Sequence, residues 1–189
     1  MMRRLAGLTL IALLLANCSE TPATGSAQSA VASAPLRKPD VRYEPSPHRV
    51  VRAMLELGGV GPNDIVYDLG SGDGRIPIAA ARDFGARAVG IDIDPKLVER
   101  ARANARREGV EGRVTFRNED LFEAEIGEAT VVTLFLYPDV NLKLRPRLLA
   151  ELRPGTRVVS HWHDMGSWRP ERTVVVDDRP IYLWTVPAH

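Results

Sequence analysis

Apolar residues recur at helical spacing over residues 48–57, where Val50, Val51, Met54 and Leu57 share one stripe and Pro47 stands where a helix accepts proline. The period then changes. Residues 64–69 (DIVYDL) form a short apolar run that predicts a strand, and a Gly-rich turn leads into a helical pattern over about 75–84. The alternation repeats: residues 88–93 (AVGIDI) read as a second strand, 95–108 as an amphipathic helix and 114–117 as a third strand. Residues 129–136 (ATVVTLFL) have the near-continuous apolar run of a strand buried on both faces. A helix over 139–152, interrupted at Pro146, and a fifth strand from Thr156 to Ser160 follow. The tail, residues 172–176 and 181–186 around Asp177-Asp178-Arg179-Pro180, predicts an antiparallel hairpin. Seven strands alternating with helices and closing on a hairpin predict an α/β fold. Its sheet is Rossmann-like, doubly wound and mostly parallel, with an antiparallel edge.

Before residue 41 no such alternation is found. Arg3 and Arg4 precede the apolar stretch 5–16 (LAGLTLIALLLA), which is too short to span a bilayer and has the order of a signal peptide. Leu15-Ala16-Asn17-Cys18 resembles a bacterial lipobox, with Asn17 where Gly, Ala or Ser is usual. Residues 1–18 are therefore expected to be a signal peptide with Cys18 as lipidation site. Residues 19–40, rich in Ser, Ala, Thr and Pro, are expected to be a flexible tether reaching about 25 Å. The folded domain is expected over residues 41–189.

Charge and cysteine count narrow the chemistry. Lys plus Arg number 25 against 24 for Asp plus Glu, and no basic cluster of the kind that binds nucleic-acid phosphates stands out. The single cysteine excludes an internal disulfide and a cysteine metal cage. His161, Trp162, His163 and Asp164 bring imidazoles and a carboxylate together. The reading preferred for them is a strand end that shapes a pocket, with His161 and His163 on one face, and no metal is expected. Trp162, Trp168 and Trp184 read as core or pocket wall, and the arginines at 102, 106 and 107 as a solvated helix face.

The candidate chemistry sits where the first strand ends. Asp68-Leu69-Gly70-Ser71-Gly72-Asp73-Gly74 spells D-x-G-x-G-x-G, whose glycines allow a sharp turn and close approach to a ligand at the next helix's N-terminus. A dinucleotide fingerprint would need a small residue at Arg75, and a P-loop would need a following G-K-[ST]. Acids stand at three successive strand ends: Asp68, then Asp92 within VGIDID 24 residues later, then Asp120 within NEDL. Taken singly, each also reads as a turn or N-cap residue.

These motifs resemble motif I and the following acidic motifs of class I S-adenosylmethionine-dependent methyltransferases. The resemblance implies that Asp68 acts near the methionine amino group and that Gly70, Ser71, Gly72 and Gly74 line the cofactor. It implies ribose contacts for Asp92 and Ile93, and adenine contacts for Asp120 and Leu121. Tyr43-Glu44-Pro45-Ser46-Pro47 with Val50-Val51, DLGSGDGRIPIAAA, DLFEA and LRPGTRVVSHWHDMGSW look like bacterial relatives of the mitochondrial ATP synthase c-subunit lysine methyltransferase family, across most of residues 43–187. That implies an amine acceptor on a protein, a lysine before others, while the charge balance already speaks against a nucleic-acid partner. At the fourth strand's exit, Leu136-Tyr137-Pro138 stands where nucleobase amino-methyltransferases carry [DNS]-P-P-[YF]; the acceptor that would activate a base amine is missing. An aromatic wall can guide an amine, so Tyr137 is the candidate catalytic residue, or else packs over the cofactor. Tyr43, Glu44 and Pro138 are candidate acceptor contacts. A small-molecule methyltransferase and a non-catalytic S-adenosylmethionine-binding module are the alternatives. One conflict stands inside the sequence. The leader directs the domain outward, to a membrane-attached position facing the periplasm or cell exterior, while S-adenosylmethionine is a cytoplasmic cofactor. A start at Val31, Leu36 or Val41 would remove the leader and leave a cytoplasmic enzyme.

Overall fold

The computed structural model describes residues 36–188; Cys18, the leader and most of the tether lie outside them. The expected sheet forms. Five parallel strands, β1 (Ile65–Leu69), β2 (Arg87–Asp92), β3 (Val114–Asn118), β4 (Val131–Leu134) and β5 (Arg157–His161), are joined by the antiparallel pair β6 (Arg172–Val176) and β7 (Arg179–Thr185). Their order is β3-β2-β1-β4-β5-β7-β6, so the chain reverses its direction of travel between β1 and β4, where doubly wound sheets leave a crevice. Helices α1 (His48–Leu57), α2 (Arg75–Phe84) and α3 (Pro95–Arg107) cover one face with Val50, Met54, Ile76, Ala80 and Val98. α4 (Pro138–Glu151) covers the other with Val140, Leu144 and Leu148. Among the described residues no helix is long and apolar enough to cross a membrane.

Three details depart from the sequence pattern. β4 is shorter than its apolar run because Phe135 and Leu136 leave the sheet to wall a cleft. α4 continues through Pro146 instead of breaking there. Only the Leu142 carbonyl loses its helical partner, Leu142 is exposed to water, and Leu144 and Leu148, both fully buried, hold the helix down on either side. The hairpin turn is two residues, Asp177 and Asp178, both left-handed (φ 49° and 59°), a geometry that matches strand twist. Arg179 and Pro180 therefore belong to β7.

Candidate active site

Beyond Leu69 the chain must turn at once to begin α2. Gly72 and Gly74 take φ values of 54° and 81°, which a side chain would strain. The loop is held from β2: Gly70 and Ser71 donate their N–H groups to the Ile91 carbonyl (2.8 and 2.9 Å), and Gly72 donates to Asp92 Oδ2 at 2.7 Å. Asp92 Oδ1 also accepts from the Asp94 N–H (2.9 Å). Burial raises the pKa of Asp92 despite these donors. Asp68 is buried and accepts from the Thr133 hydroxyl at 2.7 Å, a residue on neighbouring β4. Burial, opposed by Thr133 and reinforced by the carboxylates of Asp92 and Asp73, pushes its pKa up to about 7. Gly90 lies beneath the loop, where an added Cβ would stand 2.5 Å from Phe116 and 2.8 Å from Ser71 Oγ.

A strap, residues 37–46, crosses this loop. Arg37 pairs with Asp120 and Asp40 and lies 5.1 Å above the Phe122 ring. Burial works against ionisation of Asp120, but Arg37 and the Phe122 N–H outweigh it and hold the carboxyl below its usual range. The Tyr43 ring lies over Gly72, where an added Cβ would come within 2.5 Å of it, and its hydroxyl sits beside Asp73. Arg75 grips Asp73 through two nitrogens (2.9 and 2.7 Å) and donates a third bond to the Ser46 carbonyl (2.8 Å). Strap, loop and strand exits together bound a cleft open to solvent, with both polar and apolar side chains in its lining.

Beyond the cleft's apolar end the exits of β4 and β5 are aromatic. Tyr137 caps α4 and meets the His163 ring edge-on at 6.3 Å, and the His161 ring packs on Phe135 at 4.0 Å. β5 ends at His161 because Trp162 turns left-handed (φ 71°), its N–H donating to the Pro180 carbonyl at 2.8 Å. His161 and His163 therefore do not share a strand face, contrary to the sequence pattern, and part to different neighbours. Asn141 of α4 fixes the turn by donating to the carbonyls of His163 and Asp164 (3.2 and 3.3 Å).

Comparison with known proteins settles the family. Residues 68–172 match the model of the ANTKMT methyltransferase domain. The chain belongs to that family. A protein-lysine N-methyltransferase of Saccharolobus islandicus (strain REY15A) is 47% identical over 80% of this chain and 97% of its own length. The adenine nucleotide translocase lysine N-methyltransferase of Mus musculus is 37% identical over 82% of this chain, which spans 66% of that protein. A crystal structure described as an RNA methyltransferase from Salinibacter ruber, in complex with S-adenosyl-L-homocysteine, is 59% identical. It covers 77% of this chain and 95% of that one, with a TM-score of 0.76. The chain is thus an S-adenosyl-L-methionine-dependent methyltransferase.

The methyltransferase cleft gathers most of the residues singled out from sequence: Asp68, Gly70, Ser71, Gly72, Asp92, Ile93, Asp120, Leu121, Tyr43 and Glu44 line it. Gly74 does not. It caps α2 with its missing side chain aimed at Phe116 and Ala101, so it is a packing glycine. Tyr137 and Pro138 stand outside the lining, Tyr137 exposed at the rim and Pro138 in the first turn of α4. Arg37, Pro39 and Asp40, which composition assigns to the tether, are part of the wall. Sequence reasoning also passed over Thr133 beneath Asp68 and the Ser46–His161 pair, 2.8 Å apart across 115 residues. Of the tryptophans, Trp184 is core with Trp168 stacked at 5.8 Å, while Trp162 is exposed beneath Arg179. Arg102 departs from a purely solvated role by donating to the Phe116 carbonyl at 2.7 Å.

Proposed function

We propose that the enzyme methylates a protein lysine and that the cleft residues divide into a cofactor end and an acceptor end. The observation that carries this reading is the cleft itself. It collects Asp68, Asp92 and Asp120 from three strand exits and ends on Phe135 and Leu136, so that the β4 exit carries no Asp, Asn or Ser to activate a base amine. The cofactor fits what the cleft offers. Ser71 Oγ is buried there with no partner among the described residues, and Asp68 is balanced near neutrality, so a cationic amino group beside it would draw it into the ionised form. Bound there, S-adenosyl-L-methionine would supply a sulfonium methyl group: the lone pair of the deprotonated acceptor amine would form the new C–N bond as the C–S bond breaks and the thioether of S-adenosylhomocysteine leaves in line. Asp92, with lone pairs beyond those used by Gly72 and Asp94, accepts from ribose hydroxyls, and Asp120 accepts from the adenine amine beside Arg37. Phe135, Leu136 and Val140 exclude water from the reacting end. Tyr137 and His163 stand at the rim. Burial lowers the His163 pKa, so at neutral pH it offers an uncharged ring that does not repel an incoming ammonium.

The relatives named as lysine methyltransferases support the acceptor class, and the description of the Salinibacter structure favours RNA as a second reading. Lysate incubated with enzyme and methyl-labelled cofactor separates them. Label is expected in protein as methyl-lysine, whereas label confined to RNA or to low-mass compounds would reject the lysine reading.

We also propose that the chain is exported and lipidated at Cys18, anchoring the domain to a membrane; Arg3 and Arg4, the apolar stretch and the cysteine in their expected order support this. Intact-mass measurement of the native protein, with Cys18→Ala for comparison, tests it. An unlipidated soluble chain beginning at or after Val31 would defeat it.

A further inference from the structure

Ser46 and His161 make a polar contact that the cofactor does not require. Ser46 Oγ lies 2.8 Å from His161 Nδ1, and both residues are buried. Ser46 belongs to the strap and lines the cleft. Phe135, on which the imidazole packs at 4.0 Å, lines it too, while His161 stands behind them. One ring at the end of β5 thus touches two further elements at the acceptor end, the strap and the β4 exit. None of the residues that hold Asp68, Asp92 or Asp120 touches it.

Stability does not account for the pair. Among the described residues His161 Nε2 is buried without a partner, and an unmet buried nitrogen costs free energy that an aliphatic side chain of the same volume would not. Burial, with the nearby charge of Arg179, pushes the His161 pKa down to about 4, so the ring is neutral at physiological pH and contributes no ion pair. What it does supply is direction. A hydrogen bond between Oγ and Nδ1, with either partner donating, fixes the strap's height above Phe135 in a way that van der Waals contact alone does not.

We propose that Ser46 and His161 are a positioning pair for methyl transfer. They register the strap against the β4 exit and so hold Tyr43, Glu44 and Phe135 in the geometry the acceptor meets. The proposal rests on the methyl-transfer reading given above. It concerns rate rather than cofactor affinity, because the cofactor end is fastened through other bonds.

The test compares Ser46→Ala, His161→Leu, His161→Asn and the Ser46→Ala/His161→Leu double variant in the full chain. Initial rates of label transfer to total lysate protein are read beside S-adenosylhomocysteine affinity, melting temperature and amide exchange. Misplacing one wall of a reacting site costs on the order of ten- to a hundredfold in rate. Ser46→Ala and His161→Leu are expected to show such a loss with S-adenosylhomocysteine affinity within about threefold of wild type, and with faster amide exchange at residues 41–46 but not at 70–74. His161→Asn, whose amide reaches the place of Nδ1, should recover most of the rate. The double variant should be no slower than the slower single one. Wild-type rates in both single variants would overturn the proposal, as would unchanged exchange in the strap or a loss that follows melting temperature or cofactor affinity. If wild-type enzyme labels neither protein, RNA nor small molecules, the methyl-transfer reading fails and takes the rate claim with it. The exchange measurement still decides whether the pair fixes the strap.

Discussion

The two ends of the cleft are built from different materials. At the exits of β1, β2 and β3 the structure is largely backbone: left-handed glycines, N–H groups aimed at Ile91 and Asp92, and a buried carboxyl steadied by one hydroxyl. At the exits of β4 and β5 it is side chains: the Phe135 ring against His161, Tyr137 edge-on to His163, and a strap tied down by residues distant in sequence. A site made of backbone leaves few ways to change one contact without disturbing the fold. A site made of rings can change its substrate by exchanging side chains. The difference gives a reason why one cofactor end can serve relatives that act on different acceptors.

The largest effect is expected at the loop itself. Gly74→Ala would place a Cβ 2.5 Å from Phe116 and 2.8 Å from Ala101 at a φ of 81°. The overpacking and the left-handed backbone together should destabilise the fold by about 2–5 kcal/mol, read by denaturant unfolding. Asp92→Ala removes the acceptor that holds Gly72 and, on the reading above, the ribose contact. S-adenosylhomocysteine affinity should fall roughly ten- to a hundredfold, equivalent to about 1.5–3 kcal/mol, by calorimetry. Asp68→Ala should fall in the same range, and wild-type binding by both variants would remove the cofactor end from this site.

Acid titration sets the two ends against each other. The pKa of Asp68 is raised to about 7, so the folded protein holds its proton where the unfolded chain has lost it; this contribution is full below about pH 4 and is lost as pH rises through 7. The pKa of His161 is lowered to about 4, so its contribution is full above about pH 6.5 and is lost as pH falls through 4. The two slopes oppose each other and flatten the wild-type profile. Asp68→Asn should make stability rise more steeply between pH 4.5 and 6.5 than in wild type, by up to about 1.4 kcal/mol per pH unit, and His161→Asn should reverse the sign. Chemical denaturation across that range checks both. The smallest effect is expected at the rim. Tyr137→Ala should slow transfer by about tenfold while leaving S-adenosylhomocysteine affinity within a few fold, because the ring stands outside the cleft lining.

The two materials also explain what the sequence made legible. α2 begins at Arg75 and ends at Phe84 as its period predicts, and D-x-G-x-G-x-G marks the loop, because a turn that demands glycine writes its requirement into consecutive residues. The acids at 92 and 120 follow from strand ends that the apolar runs already delimit. The strap's fastenings, at either end of the cleft, leave no such trace. Ser46 meets His161 across 115 residues and Arg37 meets Asp120 across 83, and no local pattern encodes either contact. Trp162 hides the end of β5, since nothing about tryptophan announces a left-handed backbone. Gly74 is ambiguous for another reason, because a glycine in a ligand motif looks the same whether its missing side chain makes room for a ligand or for a phenylalanine.

The strap also has a mechanical meaning. Its upstream end is held by Arg37, whose guanidinium meets the Asp120 carboxylate through two nitrogens. Its far end is sewn in by the buried Ser46 and the Arg75 bond to its carbonyl. Tension applied upstream of residue 36 would therefore load these fastenings one at a time, like a zip opened from its loose end, and Arg37 would give way before the acceptor wall felt the pull. An affinity handle spliced close to residue 36 would load the same seam.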